Sequence, residues 1–438
     1  MLRVLLILYN LRQFNEGIMK RYIVAIGARY GALAIQFILV LLVARSLPQA
    51  QAGQYFVSFG LVATVFCLAG VGLPDGLVKS VGEDLSRQRA DRVHDAIVKS
   101  GIISAITALT ACALGSLVFL ATGAQGDYVL LTAVWCFLYG MIFYAAQALV
   151  ALRSAGLGAF FFYSSTNMYL LMTSVPYLLF WRDPTLTGLM FCTITAATLS
   201  LVTALVFLSR ALSPHTGRAK ADLGPAFRTG SVIAVSRMLQ AMIYWIPVWV
   251  CGALLGAADA SVIATAGRLL IAVSAVIAAL RFSVRPVIVA AAAEGDWPAI
   301  ERTGRKIALF TTLLTLLAML LMALIGKPVL LFLLGEEYAA AWGVLFVLIF
   351  GALGEAFGGP VDEVLKMTGH TTAVLLGLLV TVVLETALAI FLSPHGTLAI
   401  ATAQATAFCA MYMYQVLYLQ RKRGILIMPL SGNAFRKA

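Results

Sequence analysis

Charge and histidine are both scarce in this sequence. Only 11% of its residues are Asp, Glu, Lys or Arg, four are histidine, 61% are hydrophobic, and the mean hydropathy is +0.95. A water-soluble domain of 438 residues cannot cover itself with so little polar surface, so the composition describes a polytopic membrane protein. The four histidines (94, 215, 370 and 395) are scattered among polar connections. No Asp-x-Asp metal pair, phosphate-cradling glycine loop or Ser/His/Asp grouping is present, so the expectation is a carrier rather than an enzyme. No cofactor is expected beyond a coupling proton or sodium ion. The six cysteines (67, 112, 136, 192, 251 and 409) lie inside apolar stretches without metal-ligand spacing, which supports neither a disulfide framework nor a zinc site.

What is abundant is apolar sequence of spanning length. Residues 1–21 hold a run from Val4 to Tyr9 that is too short for a span or a signal segment, and an interfacial or cytoplasmic segment is expected there. Apolar stretches follow at 22–46, 53–74, 97–121, 128–151, 160–181 and 186–209, then at 230–252, 258–284, 304–325, 340–365, 372–393 and 397–419. The polar, Pro- and Gly-bearing stretch 210–229 divides them six and six, giving an N-lobe (22–209), a linker (210–229), a C-lobe (230–420) and a tail (421–438). The expected fold class is an all-α integral membrane protein of twelve transmembrane helices in two six-helix lobes. An even number per half makes the repeat parallel.

Lys and Arg set the orientation. Alternate connections and the termini carry 25 of the 31 basic residues, against 3 (Arg45, Arg182 and Lys327) on the other side. Both termini are therefore expected in the cytoplasm, in a bacterial inner membrane. The net charge of +12 then reads as a topology signal, and nucleic acid is not an expected partner. The outer connections are short, the longest being about 326–339, which leaves no room for an external catalytic domain.

Basic residues near the ends of the stretches are counted with the connections, Arg281 and Arg305 on the cytoplasmic side among them, which leaves three arginines inside: Arg29, Arg237 and Arg268. The sequence Ile26-Gly27-Ala28-Arg29-Tyr30-Gly31 returns 208 positions later as Ala234-Val235-Ser236-Arg237-Met238-Leu239, and Ser46–Gly53 returns as Leu254–Ser261. An arginine at mid-bilayer costs at least ~3 kcal/mol by insertion scales, so a duplicated one points to a polar pathway. Snorkelling or a helix–helix hydrogen bond is the alternative. Arg29 shares a helical face with Gln36, Arg237 with Gln240 and Tyr244, and Arg268 with Ser261 and Thr265. Guanidinium forks at middle depth suit a diphosphate or an acidic sugar.

Acids in the spans are confined to the second half: Glu355 and Asp362 seven apart, Glu363 beside them, and Glu385. They read either as ion-coupling groups or as structural partners of arginines, and the sequence leaves both open. Trp181, Trp297, Tyr412, Tyr414 and Tyr418 read as interfacial belt residues, whereas Tyr244, Trp245 and Trp249 lie deeper, placed for packing or for stacking on a sugar ring.

Two stretches near the start, Val43-Ala44-Arg45-Ser46-Leu47 through Tyr55 and Ala69-Gly70-Val71-Gly72-Leu73-Pro74-Asp75-Gly76, carry a family resemblance. So do Ala293-Glu294-Gly295-Asp296-Trp297 and Leu333-Leu334-Gly335-Glu336-Glu337-Tyr338. Over residues 20–420 the chain resembles the bacterial polysaccharide flippases, the O-antigen and exopolysaccharide translocases of the multidrug/oligosaccharidyl-lipid/polysaccharide exporter superfamily. That resemblance implies a V of two lobes around a central cavity. It implies alternating access that moves an undecaprenyl-diphosphate-linked oligosaccharide outward, with Arg29, Arg237 and Arg268 as the positions able to hold the headgroup. It also implies membrane lipids, polymerase and chain-length proteins as partners. The Gly72–Pro74 turn reads as a hinge or as a helix stop. A drug or organic-cation antiporter of the same superfamily is the alternative; it would want carboxylates in its first lobe, where none stands at depth. A scaffold for polysaccharide synthesis without transport is a third reading.

The charge asymmetry predicts that reporter fusions after Gly217 and after Ala438 are cytoplasmic and that one after Gly123 is external. An external signal from the Gly217 fusion would overturn the six-plus-six scheme.

Overall fold

The computed structural model describes residues 31, 33–87, 89–121, 125–215, 217 and 219–429. Arg29 and the segment 1–21, both singled out from the sequence, lie outside the described residues, as do 430–438. All described secondary structure is helical, as lipid requires of a backbone that must satisfy its own polar groups. In chain order the helices are α1 (Leu33–Ser46), α2 (Gln49–Val65), α3 (Leu73–Ser86), α4 (Val93–Ala121), α5 (Gly126–Ala151), α6 (Ala155–Phe160), α7 (Thr166–Phe180) and α8 (Leu186–Leu212). Then come α9 (Gly224–Leu254), α10 (Ala257–Ser283), α11 (Arg285–Glu294), α12 (Trp297–Leu321), α13 (Lys327–Leu334), α14 (Ala341–Gly358), α15 (Val361–Met367), α16 (Thr371–Leu392) and α17 (Thr397–Arg423). Eight helical runs among the described residues are long and apolar enough to cross a membrane. Their outer faces carry exposed Leu and Phe, such as Leu117 at 64% and Phe391 at 76%. These faces suit contact with lipid rather than water.

Two compact units emerge, and neither is one stretch of chain. The first combines the described residues through Leu39 with Val65–Val235, and the second combines Val40–Thr64 with the described residues from Ser236 onward. The unit boundary thus runs through α2 and α9. In the first unit, Leu77, Val81, Ile97, Leu149 and Phe161 form the main core. In the second, Ile243, Ile288, Val361, Phe408 and Leu419 do so, joined by Ile425 and Ile427 from the segment that follows α17.

The Gly72–Pro74 turn is a kink rather than a helix stop. Helical geometry fails at Ala69, Gly70 and Val71, and α3 restarts with Pro74 in its first turn, where a missing N–H costs nothing. Gly70, Val71 and Gly72 take φ values of +75°, +47° and +91°. For a β-branched residue such as Val71 this conformation costs on the order of 1–3 kcal/mol. The Gly70 N–H freed by the kink donates to Thr107 Oγ1 at 2.7 Å, so a side chain replaces the lost helical partner.

Glycines let helices meet backbone to backbone in each unit. Gly72 and Gly76 lie against Gly230 and Ala226 at the start of α9 in the first unit, and Gly53 of α2 lies against Ala257 and Ser261 of α10 in the second. Ser261 is the position that the sequence match equates with Gly53. Ser261 also shares a hydrogen bond of 2.7 Å with the Tyr338 hydroxyl and is fully buried, so it belongs to packing rather than to a pore wall.

A Cβ added at Gly53 would fall on the Ala257 carbonyl, whereas one added at Gly115 on the outer face of α4 meets nothing within 4 Å. Gly53→Val is therefore expected to lower stability by about 1–3 kcal/mol and Gly115→Val to be near neutral. Thermal melts of the two purified variants check this, and equal melts would contradict the backbone contact.

Candidate functional site

Three polar groupings of the second unit bear on the site, and the first two are built from elements far apart in sequence. The first surrounds Arg268. Its guanidinium lies over the rings of Phe59 at 4.4 Å and Trp245 at 4.3 Å, a cation held between two aromatic faces. Each face contributes roughly 0.5–2 kcal/mol, depending on desolvation. Arg268, Tyr244, Trp245, Ala264, Gly267 and Gln404 line one narrow cavity of about 20 Å³, room for a water-sized group. Pro247, inside α9, also borders it. Proline cannot donate to the carbonyl four residues earlier, which is Ile243, and Gln404 Nε2 supplies the missing donor at 3.0 Å. A helix defect and its repair from α17 thus sit on the cavity wall.

The structure places Tyr244 and Arg268 on one cavity, but it does not bring every expected residue there. Arg237 is partly buried on α9 in the second unit, whereas the half-buried Gln36 of α1 belongs to the first. The face of Arg237, Gln240 and Tyr244 exposes Gln240, and Thr265 is fully buried. The match of Arg29 with Arg237 lies outside the described residues.

The second cluster is a chain of charges. Arg281 is 5% exposed and pairs with both Glu355 of α14 and Asp362 of α15, while its guanidinium also donates to the Tyr412 hydroxyl at 3.3 Å. Asp362 continues to Lys366 at 3.0 Å, and Arg285 forks onto Glu363 at 2.6 and 2.7 Å. Three bases thus meet three acids. The break between α14 and α15 belongs to this arrangement. Gly359 has φ +53° and presses against Ala308, where a Cβ would come within 2.8 Å, so only glycine closes the turn from which Pro360 leads into Asp362 and Glu363.

The sequence reading placed Arg281 in a cytoplasmic loop and Tyr412 in an interfacial belt; the structure buries both. The apolar run Ala278-Ala279-Leu280 before Arg281 was the available signal, but a charge at the end of a run reads equally as its boundary. Glu355 and Asp362, taken as possible ion-coupling groups, have a cation already in place. Thr397 Oγ1 to Asp259 at 2.8 Å is a separate polar contact of this unit.

The third cluster is a single acid. Glu385 is fully buried on α16, and neither carboxylate oxygen has a hydrogen-bond partner among the described residues. In the first unit the structure also buries an acid, where the sequence reading placed none at depth. Asp75 accepts from Gln147 Nε2 at 2.7 Å and is 8% exposed. These residues are 72 positions apart, and no local pattern links them.

With this geometry in place, comparison with known proteins adds the fold. Residues 233–391 match the MatE family. An inward-facing multidrug resistance MATE family transporter of the MOP superfamily superposes with a TM-score of 0.68 at 13% identity, covering 91% of this chain and 98% of that one. The lipid II flippase MurJ in an inward closed conformation gives 0.61 at 12% identity, covering 91% and 87%. An aspartate variant of the Vibrio cholerae MATE transporter VcmN gives 0.60 at 14% identity, covering 91% and 97%. No curated protein sequence matches. The chain therefore has the helical membrane fold shared by these transporters and this flippase.

Removing one partner of a buried ion pair leaves the other uncompensated, at a cost of about 3–5 kcal/mol, whereas replacing the whole set with apolar groups is often close to neutral. Arg281→Leu should therefore melt well below the parent protein, and Arg281→Leu combined with Glu355→Leu and Asp362→Leu should recover most of the loss. A triple variant as unstable as the single one would contradict this pairing.

Proposed function

We propose that this protein is a flippase that carries a lipid-linked oligosaccharide with a diphosphate headgroup across the cytoplasmic membrane of a bacterium, for assembly of a cell-surface polysaccharide. The observation that carries this reading is the Arg268 cluster, a guanidinium inside an apolar helix with Tyr244 and Trp245 on the same cavity. A fixed cation suits a diphosphate, which a guanidinium engages bidentately, and an aromatic face suits the apolar side of a sugar ring. The fold likeness to a protein whose name is lipid II flippase supports the same substrate class. So does the resemblance of the first hairpin to polysaccharide translocases.

In this reading Arg29 and Arg237 are the second cationic element, at repeat-equivalent positions, with Gln36 seven residues after Arg29 in the sequence. The cavity at Arg268 holds no more than a water-sized group, so loading requires α2, α9 and α10 to part. Both termini are cytoplasmic, and the partners are the lipid-linked anionic oligosaccharide, membrane lipids and the polymerase and chain-length proteins that use the exported unit. The coupling ion in this reading is a proton at Glu385. A sodium ion needs a shell of several oxygens, whereas neither oxygen of Glu385 has a hydrogen-bond partner among the described residues and a proton needs only the carboxyl itself. Arg281 already neutralises Glu355 and Asp362.

A second reading, a drug or organic-cation exporter, is favoured by one observation: Asp75 is a buried carboxylate in the first unit, where such a carrier would want one. The multidrug transporters among the similar structures agree with it.

One experiment separates them. A charge-assisted hydrogen bond to the headgroup contributes on the order of 1.5–3 kcal/mol, roughly ten- to hundredfold in affinity. Alanine at Arg29, Arg237 or Arg268 should therefore abolish most surface-polymer output per unit of protein in the membrane, lysine should keep part of it, and Glu385→Gln should behave like the alanines. Full output from all four variants would remove the clamp. Drug sensitivity of the deletion strain with normal surface polymer would move the assignment to the second reading.

A further inference from the structure

The helical hairpin of α4 and α5 carries a feature that the transport reading does not use. The two helices run antiparallel around the connection at 122–125, and their register is fixed at two levels. Phe119 and Tyr128 meet with ring centroids 6.2 Å apart, and Gly140 comes so close to α4 that a Cβ on it would lie 3.8 Å from Ala108 Cβ. Residues 112 and 136 stand one turn beyond Ala108 and Gly140 on the same strip, and both are cysteine. Their thiols are hydrogen-bond neighbours.

Both cysteines are partly exposed, and Leu109, one turn before Cys112, is exposed. Cys112 lies about 14 Å from the end of α4 and Cys136 about 15 Å from the start of α5 at 1.5 Å per residue, which is mid-depth in a bilayer. A charged thiol reagent or glutathione does not partition there. A membrane-soluble quinone does.

We propose that Cys112 and Cys136 form a two-electron redox site on the lipid-facing side of this hairpin, oxidised to a disulfide by a membrane quinone. The two S–H bonds break and one S–S bond forms. The two electrons and two protons pass to the quinone, which leaves as quinol. The product is a covalent staple between α4 and α5, reversed by a dithiol reductant.

The test uses the purified full-length protein in lipid nanodiscs with decylubiquinone as the probe. After incubation the protein is denatured, and its free thiols, six before oxidation, are counted with a mass-tagging maleimide. The parent should lose two thiols and produce one quinol per chain, peptide mass spectrometry should find Cys112 joined to Cys136, and the melting temperature should rise until dithiothreitol is added. Cys112→Ser and Cys136→Ala should lose no thiols, form no quinol and show no such rise. Retention of all six thiols by the parent would overturn the proposal, as would a loss of two that persists in either variant.

Discussion

A guanidinium buried in an apolar helix must be neutralised where it stands, and much of the second unit answers that demand of Arg281. Its partners come from 74 and 81 positions further along the chain. Delivering both requires the α14 helix to end at Gly358 and the chain to turn through Gly359 before α15 begins. The turn in turn requires glycine, because Ala308 of α12 occupies the space a side chain would need. Tyr412 of α17 adds its hydroxyl to the same guanidinium, so four segments of the unit converge on one charge. Breaking such a set at one member costs several kcal/mol, a large fraction of the stability of any fold.

Where helices are interrupted elsewhere, a specific side chain repairs the backbone. Thr107 takes up the Gly70 N–H at the α2–α3 kink, and Gln404 takes up the Ile243 carbonyl that Pro247 leaves unpaired. In lipid an interruption without such a repair would be costly, and a repaired one is a place where a helix can bend without losing its hydrogen bonds. The Pro247 repair borders the cavity of Arg268, so the most deformable part of α9 is next to the group proposed to bind substrate.

Hydropathy alone marked where the helices lie, because a spanning helix must be apolar along its own length. Partners at long range were not legible. Arg281 ends an apolar run, and only the placement of Glu355 and Asp362 shows that it is inside rather than outside. Asp75 follows a proline and reads as turn material until Gln147 is found opposite it. Phe59 belongs to the first half of the sequence yet stacks on Arg268 of the second, because residues 40–64 join the second unit, a grouping no local pattern encodes. Glu385 was read correctly as a buried acid, but its isolation from any described partner is a property of its surroundings. Cys112 and Cys136 share a level only once the register of their hairpin is known.

The central claim is that the fold moves a lipid-linked oligosaccharide from one leaflet to the other, with fixed cations on its path. The most direct measurement is the leaflet distribution of that intermediate in cells lacking the protein, read by the accessibility of its glycan to an impermeant lectin or glycosidase in intact spheroplasts and in everted vesicles. The account predicts that the intermediate is made in normal amount and is accessible only in everted vesicles, with surface polymer absent and both restored by the intact gene. An intermediate that remains accessible in spheroplasts, in a strain with no redundant transporter, would contradict it.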